Sequence, residues 1–189
     1  MIVSSRHAKA FRDILFLLTC LVFLLAPLLI GVPRLHAEAN KVVAEIDGKK
    51  LTQKDFKAYL ELFQGNPAYH PATMKDKKRL LNNLVNRTLL LEAARKEGYF
   101  KKKELKKHPN LGKTEEETFV LRAYLMDHVS KKVSITPKEI EAYQKAHPGM
   151  KAKEAKEALT TLRQKALFRD LMKRLRAGHT IRIYPEAIK

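Results

Sequence analysis

Histidine and acidic side chains are the groups in this sequence best suited to proton transfer or metal binding. After the first 37 residues the histidines are His70, His108, His128, His147 and His179. None of them lies four residues from another, and the sequence contains no His-Glu-x-x-His motif or cysteine cluster that would hold a metal. Gly-x-Ser-x-Gly and phosphate-binding glycine motifs are also absent from the sequence. We therefore expect no catalytic residue, no metal site and no cofactor, and a protein that is not an enzyme.

The first 37 residues have the order of a secretory signal peptide. Basic residues precede an apolar run over residues 14–32, and smaller residues follow it. Cleavage after Ala37 or Ala39 fits this pattern, whereas an uncleaved anchor is the alternative because the run approaches the roughly 20 residues that span a bilayer. The single cysteine, Cys20, lies in this segment. We expect an exported, periplasmic protein without disulfides, or one that is anchored in the inner membrane and faces the periplasm.

The sequence is strongly basic. Its 189 residues carry a formal net charge of +18, and the 34 basic and 19 acidic residues after position 37 leave +15. A charge of this size attracts polyanions. For an exported protein these are the headgroups of an anionic membrane surface, lipopolysaccharide and acidic unfolded chains, so no nucleic acid is expected as a partner.

Two short segments, one near each end of the remaining sequence, are typical of strands. Val42–Ile46 is rich in β-branched residues and precedes the turn pair Asp47-Gly48, which fits either a strand and a turn or a small hairpin. Residues 180–184 alternate polar and apolar side chains. Because a lone strand leaves its backbone groups unpaired, we expect these two segments to pair as a two-stranded sheet.

Between these segments the sequence predicts helices, so the fold class is mostly α. Thr52 and Thr136 each begin a helix as the first residue of a capping box. A helix over residues 73–97 is apolar around more than half of its circumference, and such a helix must be surrounded by other elements. Another helix begins at Thr114, where the adjacent glutamates 115–117 suit the positive end of the helix dipole.

The longest predicted helix covers residues 151–177, about 40 Å at 1.5 Å per residue. Its apolar stripe, which we expect to be buried, consists of Leu159, Leu162, Ala166, Leu167, Leu171 and Leu175. Only the short stretch His147-Pro148-Gly149 separates this helix from the preceding one.

Several motifs follow one another in a recognisable order. Val43-Ala-Glu-Ile-Asp-Gly48 precedes the helix capped by Thr52, and a leucine-rich helix extends from Leu81 to Gly98. Val133-Ser-Ile-Thr-Pro-Lys-Glu-Ile-Glu-Ala-Tyr143 comes next. In this order, behind a segment like a signal peptide, the motifs resemble the exported foldase and chaperone family of SurA, PrsA and PpiD. The resemblance covers nearly all of residues 40–189.

The resemblance implies a helical chaperone domain, similar to the SurA N-terminal domain, over residues 38–189. Its N-terminal part would extend to residue 148, and its C-terminal helix and strand would occupy residues 151–189. Members of the family usually carry a parvulin-type prolyl isomerase domain between these two parts. Here only Pro148-Gly149 joins them, which implies a chaperone module without its own isomerase activity.

The resemblance also implies a holdase, a chaperone that binds unfolded or nascent exported polypeptides, with outer-membrane proteins among its clients. An apolar, aromatic-lined crevice between helices would hold these chains through burial of apolar area. The candidate contact residues are Tyr59, Phe63, Tyr69, Tyr99, Phe100, Phe119, Tyr124 and Met126. Ordinary core packing is the alternative for each of them. Tyr69, Tyr99 and Phe100 are favoured as contacts because they lie at the ends of elements.

A second hypothesis is a binding or assembly factor for the cell envelope. Such a protein would dock on lipid, glycan or one specific partner through its basic surface. The effect of salt separates the two hypotheses, because ionic docking weakens between low and physiological ionic strength, whereas binding through apolar contacts persists.

Overall fold

The computed structural model describes residues 41–63, 66 and 69–188, so the predicted signal segment and Cys20 lie outside the described residues. The described residues from Val42 onward form one unit. Its strands and helices, in chain order, are β1 (Val42–Ile46), β2 (Lys49–Thr52), α1 (Gln53–Glu61), α2 (Met74–Lys96), α3 (Lys103–Lys106), α4 (Lys113–His128), α5 (Pro137–Ala146), α6 (Ala152–Ala177) and β3 (Ile181–Ile183). The predicted class, mostly α with a small sheet, is confirmed.

The sheet joins the two ends of the domain, as predicted. Strand β1 pairs antiparallel with β3, which places Ala44 opposite Ile183. On its other side β1 pairs with β2 through a tight turn in which Asp47 and Gly48 have φ angles of 49° and 81°. Positive φ at both central residues suits a two-residue hairpin turn. Because this hairpin forms, the sheet has three strands in the order β2-β1-β3, one more than predicted.

Helix α2 lies at the centre of the domain, also as predicted. Thr73 caps it, since the backbone N–H of Asp76 donates to Thr73 Oγ1 over 3.1 Å and the Asp76 carboxylate accepts the N–H of Thr73. The helix packs against β1, α1, α4 and α6. Its buried side chains are Leu80, Leu81, Leu84, Val85, Leu89, Leu90 and Ala94. Burial on several sides explains why its sequence is apolar around most of its circumference.

Helices α5 and α6 pack against each other and are joined by residues 147–151. Gly149 turns the chain with a φ of 89°, and the side-chain amide of Gln144 donates to the carbonyl of Met150 over 2.9 Å. The chain therefore makes a short, hydrogen-bonded turn between α5 and α6.

The predicted buried stripe of α6 is wrong at Leu162, which is 52% exposed. Of the other predicted residues, Leu171 is buried, and those that are only half-buried are Leu159, Ala166, Leu167 and Leu175. Arg163 pairs with Glu139 of α5, so α5 covers one side of this part of the helix. The last turns of α6 reach the core, where Leu171 is buried. Arg176 there donates hydrogen bonds to asparagine side chains of α2. Leu162 is not among the apolar side chains that pack against the core of the described domain.

Candidate functional site

Three of the five histidines after residue 37, His179, His128 and His147, contact polar groups of the domain. His179 Nδ1 lies 2.6 Å from Asp47 Oδ2, and His128 Nε2 lies 2.8 Å from Glu97 Oε2. His147 contacts a backbone carbonyl at the end of its own helix. Within residues 41–63, 66 and 69–188, no group of three or more His, Cys, Asp or Glu side chains is placed to hold a metal ion. No helix of these same residues is long and apolar enough to cross a bilayer.

A groove of about 490 Å³, here named the central groove, is formed by β2, α1, α2 and the first turns of α4. This volume is within the range of about 300–1,000 Å³ typical of ligand pockets. Its lining residues are Lys49, Leu51, Asp55, Ala58, Tyr59, Leu62, Leu84, Arg87, Thr88, Leu91, Glu92, Arg95, Lys113, Thr114 and Glu117. The six from α2 recur at helical intervals from Leu84 to Arg95 and thus form one face of that helix.

The central groove combines apolar side chains with charges of both signs. Its large apolar side chains are Leu51, Tyr59, Leu62, Leu84 and Leu91. Arg87 of α2 pairs with Glu117 of α4 over 3.1 Å, and these two side chains are only 15% and 22% exposed. Lys49 of β2 pairs with Glu92 over 2.7 Å. From the sequence, Glu117 was expected only to interact with the dipole at the start of its helix. In the structure it also links two walls of the groove.

Three aromatic rings cluster at the α1 side of the central groove, and we name them the aromatic trio: Tyr59, Phe63 and Tyr69. Tyr59 lines the groove and meets Phe63 edge to face, with ring centroids 5.4 Å apart. Phe63 and Tyr69 stack at 3.8 Å. Burial raises the pKa of Tyr59 to about 12, so its phenol stays neutral. Tyr59 is buried, whereas Phe63 and Tyr69 are half-buried and extend the apolar surface outward.

Tyr99 and Tyr124 belong to a second aromatic cluster, which lies in the core. They are 6% and 1% exposed, and their ring centroids are 5.2 Å apart. The Tyr99 hydroxyl donates to Asp127 Oδ2 over 2.8 Å. Lys131 and Lys102 also donate to this carboxylate, and together with Tyr99 they hold the pKa of Asp127 well below its usual range. Because Tyr99 is buried and hydrogen-bonded, core packing explains it better than client contact, which its position at an element end had favoured.

The three remaining candidate contact residues occupy different places. Phe100 is half-buried beneath the Arg95 guanidinium, 4.2 Å from its ring centroid, and Arg95 itself lines the central groove. Phe119 lies in a separate groove of about 360 Å³ beside His108. Met126 is 49% exposed on α4. The eight candidates thus do not form one crevice. Tyr59 lines the central groove and contacts Phe63 and Tyr69, whereas Phe100 contacts the groove residue Arg95.

Sequence reasoning missed the α2 wall of this groove. Leu84, Arg87 and Leu91 recur at intervals of three and four residues, a spacing that marks one helix face. The signal was therefore present, but in a helix that is apolar around most of its circumference it does not single out one face. Leu62 was missed because it is not aromatic.

A family model described as the SurA-like N-terminal domain matches residues 1–108, more than half of the chain. The chain belongs to the SurA-like N-terminal domain family. This is a chaperone-type family. The matched residues include β1, β2, α1 and α2, and so contain every wall of the central groove except the one from α4. Comparison with curated proteins and with solved structures found no match.

Proposed function

We propose that this SurA-like protein is an exported periplasmic holdase that binds unfolded polypeptide segments in the central groove and acts without a prolyl isomerase module of its own. Residues 1–37 would direct its export. The observation that carries the proposal is the central groove itself, an open apolar surface with paired charges beside the aromatic trio.

An extended polypeptide suits this groove because it presents apolar side chains and backbone amides in alternation. Its apolar side chains would pack on Leu62 and Leu91, which are half-buried in the groove lining. Burial of apolar area, worth about 25 cal/mol per Å², is not directional and so does not require a particular client sequence. This is the property that a chaperone for many clients needs.

The charged lining of the groove suits the polar backbone of a client. Arg87 and Glu117 pair with each other over 3.1 Å in the free protein. A bound chain could offer carbonyl groups to Arg87 and amide groups to Glu117, so neither side chain would be buried without a partner. Because the groove carries charges of both signs, it should not favour acidic clients over basic ones.

The aromatic trio would extend the binding surface past the end of α1. Phe63 and Tyr69 are half-buried and present ring faces and edges that a client side chain could cover. Outside the groove, the net charge of +15 after residue 37 would accelerate the capture of acidic unfolded chains, an effect that decreases with salt.

A photo-crosslinking amino acid at Leu62 tests the position of the client directly. Leu62 is half-buried in the groove lining, and Met126, 49% exposed on α4 outside that lining, is the matched control position. With an unfolded outer-membrane protein as client, we expect crosslinks from position 62 and few from position 126. Equal yields at the two positions, or crosslinks from position 126 alone, would contradict binding in the central groove.

A further inference from the structure

One side of α6 presents basic and apolar side chains to solvent. Leu162, Lys165, Arg169 and Lys173 are spaced at i, i+3, i+7 and i+11 and are all exposed. This spacing places them on one side of the helix, over a length of about 16 Å. Phe168, 37% exposed, borders the same side. We name these five residues the α6 basic face.

Two of the three cations of this face have no carboxylate of the described residues close by. Helix α6 contains eight Lys or Arg and only three Asp or Glu residues. No carboxylate of the described residues lies within 4.0 Å of the ammonium group of Lys165 or Lys173. Arg169 has a carboxylate 3.6 Å away, that of the adjacent Asp170, and both of these side chains are more than half exposed.

The apolar members of the face do not take part in the core. Leu162 is 52% exposed, and it belongs to the stripe that the sequence predicts to be buried. Neither Leu162 nor Phe168 is among the apolar side chains packed against the hydrophobic core of the described domain. Two large apolar side chains are therefore partly exposed beside three cations on one side of the helix.

We propose that the α6 basic face docks on an anionic lipid surface. Lys165, Arg169 and Lys173 would bind lipid phosphates, and Leu162 and Phe168 would enter the boundary between headgroups and acyl chains. Basic residues beside exposed Leu and Phe are the combination by which helices lie on membranes. The face lies along a single helix without walls, which fits a plane of headgroups better than an acidic peptide, since a peptide gains apolar contact mainly in a groove. This docking does not depend on client binding in the central groove.

A fluorophore at position 162 reports whether this face meets lipid. The full chain would carry Cys20→Ser and Leu162→Cys, labelled with an environment-sensitive dye, and a second protein would carry the dye at Met126→Cys. We expect a blue shift at position 162 with vesicles of phosphatidylcholine and phosphatidylglycerol, and a much smaller shift at position 126. Because both labels share the same N-terminal segment, attachment through that segment cannot produce the difference. Equal shifts at the two positions, or no shift at 162, would overturn the proposal.

Charge variants test the lipid chemistry. Lys165→Gln, Arg169→Gln and Lys173→Gln together should raise the lipid concentration needed for the shift by about a hundredfold, at roughly fivefold per basic residue. The matched control removes the same charge from exposed positions on α1 and α3, with Lys54→Gln, Lys57→Gln and Lys106→Gln. It should change the required lipid concentration little. An equal loss in the control would contradict a specific face. A shift at 162 with soluble polyglutamate but not with anionic vesicles would assign the face to acidic chains instead.

Discussion

Asp47 and His179 lie 2.6 Å apart, between Oδ2 and Nδ1, although they are 132 positions apart in the sequence. The other carboxylate oxygen of Asp47 accepts the backbone N–H of Thr180 over 2.7 Å. The hairpin turn at one end of the domain thus holds the chain immediately before β3 at the other end. The Thr180 N–H and then His179 lower the pKa of the Asp47 carboxyl from its ordinary value of 3.8.

Asp47→Ala should destabilise the domain in a manner that depends on pH. A carboxyl whose pKa is lowered by folding stabilises the folded state above its unfolded pKa, and this contribution is lost as the pH falls through the folded value. We therefore expect Asp47→Ala to lower the melting temperature at neutral pH, and the difference from wild type to shrink as the pH falls below 3.8. A constant part of the difference should remain at low pH, because alanine is also strained at the φ of 49° that Asp47 adopts. Thermal unfolding followed by circular dichroism across this range measures both effects. Glu141→Ala, at an exposed position on α5, is the control, and a difference for Asp47→Ala that does not depend on pH would contradict the assignment.

The turn between α5 and α6 requires glycine. Gly149 has a φ of 89°, and no atom lies within 4 Å of the position that a Cβ would occupy, so alanine there would be strained without a clash. We expect Gly149→Ala to reduce the free energy of unfolding by about 1–2 kcal/mol. Gly178 has an ordinary φ of −85°, and Gly178→Ala should be neutral or stabilise by about 0.4–1 kcal/mol. Denaturant unfolding of the two variants compares them, and an equal loss would show that backbone strain is not the cause.

Leucine positions on α2 and α6 should differ sharply in their contribution to stability. Leu89 of α2 is 1% exposed, so Leu89→Ala should cost about 2–5 kcal/mol through lost burial and the cavity that remains. Leu162 is 52% exposed, and Leu162→Ala should change stability by less than about 1 kcal/mol. Urea unfolding provides both values. If Leu162→Ala instead reduced the free energy of unfolding by more than about 2 kcal/mol, Leu162 would have to be buried, as its sequence spacing predicts.

Two aromatic positions should separate client binding from folding. Tyr124 is 1% exposed, and Tyr124→Ala should cost about 3–5 kcal/mol of stability, as for other large core aromatics. Phe63 is half-buried in the aromatic trio, so Phe63→Ala should cost about 1–2 kcal/mol and weaken client binding severalfold. Anisotropy of a labelled unfolded client measures the binding, at a temperature where both variants remain folded. Unchanged affinity for Phe63→Ala would remove the trio from the binding surface.

Helix caps and the pairing of the end strands were predicted from the sequence. The predicted capping boxes at Thr52 and Thr136 are present, because each depends only on residues three positions apart. The pairing of the two end strands also followed, since each strand needed a partner for its backbone groups.

What the sequence did not predict depends on which elements pack together. The spacing of Leu162 fits a buried stripe, but its exposure depends on where α5 and α2 contact α6. Leu84, Arg87 and Leu91 can be recognised as a groove wall only when the position of α4 opposite α2 is known. The position of Tyr99 at the end of an element favoured a client contact, yet Tyr99 is 6% exposed and its hydroxyl donates to Asp127, 28 residues later.

The most direct test of the holdase account is light scattering of an unfolded outer-membrane protein diluted into buffer, with and without this protein, at low and physiological salt. The wild type should suppress aggregation at both salt concentrations, because apolar burial in the groove is not screened by ions. Leu91→Asp, which places a charge in the groove, should lose most of the suppression, whereas Met126→Asp outside it should not. No suppression at either salt by the folded protein, or equal suppression by Leu91→Asp, would contradict binding of clients in the central groove.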